Sequence, residues 1–267
     1  MKSLEDTAED TAWIYKKIRR RARQIVSRFP PPDFYSDFPD AVRLSRQFFE
    51  TDPLILRLRS SIETRLDDDF GHGLKHAVKV SLDAGALMAI EGSQAGYSDD
   101  YFSRRIRVAQ FAGLIHDIRR KEKNHAVIGA ACAKKILKIY PLSVDEIEDV
   151  CMAIRNHEAF KKTPPIDTPE GRLVSGCLYD ADKFRWGPDN FMDTVWDMAT
   201  FMKIPLWKFI ERYPKGLEIL KKAGTTFRTS TGKKYGPRFI DLGLAIGNKV
   251  YDAIVADFAE YLHENTE

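Results

Sequence analysis

The sequence predicts an all-α fold. Apolar residues recur at three- and four-residue spacing over most of its 267 positions, no convincing alternating run marks a strand, and Pro, Gly and capping signals punctuate the periodic segments. Residues 10–29 place Trp13, Ile14, Ile18, Ile25 and Phe29 along one side of a very basic segment. From about 40 to 66, Val42, Leu44, Phe48, Leu54, Leu58 and Ile62 continue the pattern, and Pro53 suits the first turn of a new helix. GHGLKHAVKVSLDAGALMAIEG reads as a helix that begins near residue 71 and is stopped by Gly92. RRIRVAQFAGLIHDI follows, nearly all apolar from Val108 to Ile115 and therefore central to the core. HAVIGAACAKKILKIY is closed by Pro141, and SVDEIEDVCMAIRNHEAF opens with Ser143 and Glu146 in capping-box spacing. After the loop KKTPPIDTP come EGRLVSGCLYDADKF, FMDTVWDMATFM and a Pro205-initiated LWKFIERY. A polar loop TTFRTSTGKKYGPR then leads to a final helix over about 238–263. Residues 70–187 form one unit in this reading, with 1–69 and 188–267 as helices packed around it.

Composition excludes several classes. Lys and Arg number 42 against 39 Asp and Glu, a net charge of +3, so the chain is neither a histone-like polycation nor an acidic tail. Cys132, Cys151 and Cys177 form no CxxC pair and suit a reducing compartment, and the acidic opening MKSLEDTAED is unlike a secretory signal; a cytoplasmic location is expected. No apolar run approaches the ~18 residues of a membrane span. KKIRRRAR (16–23) reads first as the solvated face of an amphipathic helix, with phosphate-backbone or acidic-partner contact as the minority alternative, and STGKK (230–234) lacks the spacing of a phosphate-binding loop. Trp186, Trp196 and Trp207 with Phe184, Phe191 and Phe201 suit core packing of the C-terminal helices.

The informative feature is the placement of histidine. Of six, five lie between residues 72 and 157. His72, His76, His116-Asp117, His125, His157 and the Asp180-Ala181-Asp182 run interrupt otherwise apolar segments. Imidazole and carboxylate bind borderline or hard divalent metals, and a buried ion is costly unless paired or metal-bound. Singly, each has an ordinary explanation as a core histidine, a helix-start residue or a surface carboxylate. Jointly they point to a metal site.

In order, GHGLKHAVKV (71–80), LIHDI (114–118), NHAVIGA (124–130), AIRNHE (153–158) and EGRLVSGCLYDADKF (170–184) resemble the HD-domain metal-dependent phosphohydrolase superfamily. The resemblance implies an HD-like helical bundle in which His76, His116, Asp117 and Asp182 hold one divalent ion of Mn, Mg, Ni, Co, Zn or Fe. His76 is preferred to His72 because the family's first ligand lies inside its helix; Asp182 is preferred to Asp180 because a basic residue and a hydrophobe follow it. His72 is then a candidate for phosphate contact or proton transfer, or a helix-start residue bonded to backbone.

His125 and His157 correspond to histidines that hold a second ion in two-metal members. His125 follows Asp117 by only eight positions and His157 is single, which favours one ion with both histidines lining it as phosphate-binding or proton-donating groups; a second ion through them is the alternative. Lys183, beside a ligand, is a further catalytic candidate, and Lys79, Arg119 and Lys121 are candidates for substrate binding. The implied reaction is hydrolysis of a phosphomonoester or phosphodiester of a nucleotide or small phosphorylated metabolite by metal-activated water. A di-iron oxygenase on the same scaffold and a catalytically silent ligand-sensing module are the alternatives.

Overall fold

The computed structural model describes residues 8–63 and 73–266. Among them the regular structure is helical: α1 (Ala8–Val26), α2 (Phe34–Asp37), α3 (Pro39–Thr51), α4 (Pro53–Ile62), α5 (Leu74–Gln94), α6 (Asp99–Ile115), α7 (His125–Leu137), α8 (Val144–Arg155), α9 (Pro169–Phe184), a π-helical turn (Asn190–Thr194), α10 (Val195–Phe201), α11 (Leu206–Ala223), α12 (Ser230–Asp257) and α13 (Ala259–Thr266). The local signals explain several boundaries. Pro53 is the first residue of α4, and the Asp52 carboxylate accepts from the N–H groups of Leu54 and Ile55 at 2.9 and 3.2 Å. Ser143 and Glu146 close the capping box of α8 reciprocally. No described helix is long and apolar enough to cross a membrane.

α5 is the axis of the molecule, buried nearly all round and packed against α3, α6 and α9. Its closest neighbour is α6, and the contact is set by Gly113: a Cβ there would stand 2.5 Å from Ser81 Cα and 2.7 Å from Ser81 N. The Ser81 hydroxyl donates to the Gln110 carbonyl (2.8 Å), and Gln110 Nε2 donates to the Ser45 carbonyl (2.7 Å), so α3, α5 and α6 are locked in register. Arg105, 2% exposed, ties α6 to α8 and α9 through Asp149 (2.8 Å) and the Glu170 carbonyl (3.0 Å).

The flanking segments share this hydrophobic core. Phe34 of α2 packs on Phe184 and Tyr235, and Phe184 stacks on Phe239 of α12 at 4.1 Å. Tyr15 of α1 lies against Trp196 of α10 and donates to the Ile204 carbonyl (2.9 Å). The arginines of α1 are more than a solvated face: Arg19 pairs with Asp197, Arg23 with Asp193 and Arg21 with Asp257.

Three expectations need correction. α5 runs past Gly92 to Gln94, because Gly92 serves the packing of Phe102 and Tyr97, not a helix stop. STGKKYGPR is not loop but the start of α12. Asp180 of α9 accepts from the N–H groups of Arg228 and Thr229 (both 2.8 Å) and from the Thr229 hydroxyl (2.7 Å), while Thr229 caps the helix through the Gly232 N–H. Gly232 is small because Asp180 fills the space its Cβ would need. Phe201, expected in the core, is 45% exposed at the end of α10.

Gly113→Ala should force α5 and α6 apart. The expected loss is about 1–3 kcal/mol, the usual cost of overpacking, read as a lower urea midpoint at unchanged slope.

Candidate metal centre

The donors gather where helices begin and end. His76 is in the first turn of α5, and His125 is the first residue of α7. His116 and Asp117 follow the end of α6, His157 follows the end of α8, and Asp182 is in the last turn of α9. All six are buried and fall into two triads, His76–His116–Asp182 and Asp117–His125–His157.

In the first triad, His76 Nε2 lies 3.3 Å from both His116 Nε2 and Asp182 Oδ1, and His116 Nε2 lies 3.9 Å from Asp182 Oδ1. In the second, Asp117 Oδ1 lies 3.4 Å from His157 Nε2 and 3.7 Å from His125 Nε2, and the two imidazole nitrogens are 3.3 Å apart. Asp117 joins them, since its other oxygen, Oδ2, faces His116 Nε2 at 3.4 Å.

Proton positions decide what this geometry wants. His116 Nδ1 is 2.8 Å from the Gly113 carbonyl, and His157 Nδ1 is 2.6 Å from the Ile154 carbonyl. A carbonyl only accepts, so both rings carry their proton on Nδ1 and turn an Nε2 lone pair toward the carboxylates. Asp117 Oδ1 is buried with no hydrogen-bond partner. Converging lone pairs around an orphaned carboxylate oxygen fit a divalent cation, and imidazole held by a carbonyl is the usual arrangement of a metal-ligating histidine. The mixed N/O donor set suits borderline and hard ions and does not select one metal.

Electrostatics agree. Burial alone would raise the Asp117 carboxyl, but His116 and His157 outweigh it and hold it well below the usual carboxylate range. Burial is likewise outweighed at Asp182, by Lys183 foremost and then by His76 and His116. Burial would lower His116, yet Asp117, Asp182 and the Gly113 carbonyl raise it: this ring is pulled toward a positive charge. His125 is pushed down to about 4 by burial, with Arg120 and His157 adding to the shift against Asp117. Its Nε2 is 3.0 Å from Arg120 Nη1, so a guanidinium supplies cationic charge beside the second triad.

The four expected ligands are therefore together, but divided between two triads, and His125 and His157 stand with them, His125 the most exposed of the six at 9%. The eight-position link does not prevent this, because Asn124 adopts a left-handed conformation (φ 68°) that turns the chain straight into α7. His72 lies outside the described residues. Lys183, expected to act on substrate, is instead buried beneath the site, where its Nζ donates to Asp182 Oδ2 at 2.6 Å between the rings of Tyr179 and Trp186. Lys79 is half-exposed and pairs with Asp189 (2.8 Å). Arg119 turns to solvent and pairs with Glu122 (2.8 Å), and Lys121 is exposed in the same turn. The cation of that run which reaches the centre is its neighbour Arg120, 3.8 Å from Asp117 Oδ1. Nothing in RRKEK distinguishes Arg119 from Arg120, because the choice is made by the geometry of the turn.

With both triads filled, the stripped chain should take up two divalent ions, and His157→Ala should reduce uptake to one. Binding at a free ion concentration of 100 Kd should add about 2.7 kcal/mol of stability per site, seen as a rise in Tm that a chelator reverses.

No family model, curated protein or solved structure matches the chain.

Proposed function

We propose that the chain is a metal-dependent phosphohydrolase that cleaves a phosphomonoester or phosphodiester of a nucleotide or small phosphorylated metabolite, with two divalent ions held by the six-residue centre. The observation that carries this reading is the orphaned Asp117 carboxylate shared between two buried triads, with Arg120 beside it. The order of these residues along the chain, and the resemblance to HD-domain phosphohydrolases that it carries, support the same class.

A divalent ion bound there lowers the pKa of a bound water toward neutrality and polarises a phosphoryl oxygen. The protein's own contribution is positioning and charge. Asp117 spans the two triads, so its loss removes a donor from both. Lys183 fixes Asp182 by holding Oδ2, which leaves Oδ1 directed at His76 and His116; it is a positioning residue. Arg120, partly exposed at the rim, is the cation available to a phosphoryl oxygen as charge develops on it. Two ionised carboxylates leave a centre loaded with two divalent ions net positive, which favours an anionic substrate over a neutral one.

The test is to strip the full chain, reload it singly with Mn, Mg, Ni, Co, Zn or Fe, and assay nitrophenyl phosphate, its diester and a panel of nucleotides and sugar phosphates. Hydrolysis should require metal, and Asp117→Asn should lower kcat by about a hundredfold or more. Lys183→Met should weaken metal retention while Lys183→Arg restores it. Absence of hydrolysis with every metal overturns the proposal, and dioxygen consumption by the iron-loaded chain would replace it with the oxygenase.

A further inference from the structure

Beside His76 a cavity of about 300 Å³ opens between α1, the start of α5 and the π-helical turn. Five cations line it, Arg19, Arg23, Lys75, Lys79 and Arg185, against the carboxylates of Asp189, Asp193 and Asp197. We propose that this cavity receives a second anionic group of the substrate, a phosphate or carboxylate set apart from the reacting ester, and that Arg19 and Arg23 determine specificity for it. The substrate role rests on the hydrolase reading; the anion site does not.

The charge arrangement carries the argument. Arg23 Nη2 is 2.5 Å from Asp193 Oδ1, and Arg19 Nε is 3.9 Å from the same oxygen, so one carboxylate serves two guanidiniums. Arg19 also pairs with Asp197. Asp189 is shared in the same way by Lys79 and Arg185, with Asp83 completing the neutralisation of Arg185 from outside the cavity. Lys75 is exposed and has no ion pair among the described residues. Arg23 and Lys79 are 56% and 45% exposed, so their charged ends can reach a ligand. The shared carboxylates hold Arg19, Arg23 and Lys79 in place without saturating them, and a dianionic oxygen cluster can bridge guanidiniums that a single carboxylate joins only at 2.5 and 3.9 Å.

Two further features point the same way. Gly73, the N-cap of α5, lines the cavity and supplies no side-chain acceptor to the first-turn N–H groups, so the positive end of a 21-residue helix faces it. His76, a donor of the first triad, forms part of the wall, so the cavity adjoins the metal centre. Arg19 and Arg23 come from α1, outside residues 70–187; the flanking helix would thus select the substrate on which the centre acts.

The experiment uses the full chain stripped of metal, titrated by calorimetry with inorganic phosphate and, in a separate arm, acetate. The arm that binds identifies the anion class. Arg19→Ala with Arg23→Ala should weaken binding at least tenfold. Because these arginines also hold α1 to the π-helical turn, Asp193→Asn is the decisive second variant. It keeps both cations and removes their shared carboxylate, so it should tighten binding at least threefold, whereas a purely structural ion pair predicts no gain. Binding of neither anion, insensitivity to the arginine substitutions, or weaker binding in Asp193→Asn overturns the proposal. Arginine-dependent anion binding in a chain that takes up no metal would support the site and overturn only the hydrolase reading.

Discussion

Six polar side chains are withdrawn from water with most of them presenting lone pairs to one another, an arrangement that a cation stabilises. The rest of the centre follows from how the imidazole protons are disposed of. His116 and His157 each give the Nδ1 proton to a carbonyl three residues earlier, in the last turn of α6 and α8 respectively. Carbonyls in the last turn of a helix have no intrahelical partner. Two helix ends thus fix the tautomer of the histidine that follows. The Nε2 atoms, relieved of their protons, face Asp117 and Asp182. Lys183 and the Arg120 guanidinium supply positive charge beside those carboxylates.

Gly113 connects this chemistry to the packing. Its missing Cβ lets α5 approach α6 at Ser81, and its carbonyl holds the His116 ring. The Gly113 residue thus both permits the α5–α6 seam and orients the His116 ring. α9 divides its carboxylates instead. Residues two apart on a helix point to different faces, so Asp182 meets the histidines while Asp180 meets the backbone of Arg228 and Thr229 and begins α12.

What was legible in the sequence was whatever depended on neighbours in the chain. Helical periodicity, the Pro53 start and the Ser143–Glu146 box are local, and each appears where the pattern puts it. The histidines were legible because they break apolar runs. The start of α12 was not: TSTGKK is polar and turn-like, and the partner that makes it a helix start is Asp180, about fifty positions away. Arg120 was passed over for Arg119 and Lys121 because one turn decides which basic residue looks inward. The eight-position link between Asp117 and His125 reads in the sequence as one that needs a loop. The left-handed Asn124 removes that need, since a side chain as small as asparagine tolerates φ 68° at a sharp entry into α7.

Stability bears on whether the centre is a relic. A buried ionised group that has lost its partner is among the costliest features a fold can carry, and apolar residues of similar volume commonly make a protein more stable at such positions. A chain that only sensed a ligand would gain by filling this space with leucine and phenylalanine, as it does around Phe184 and Phe239 a short way along α9 and α12. Here six donors remain, on or directly after five helices. Ions bound in the two triads would together cross-link α5, α6, α7, α8 and α9, so their binding energy would be folding energy. Metal held in the two triads would therefore stabilise the fold as well as serve the hydrolysis proposed above.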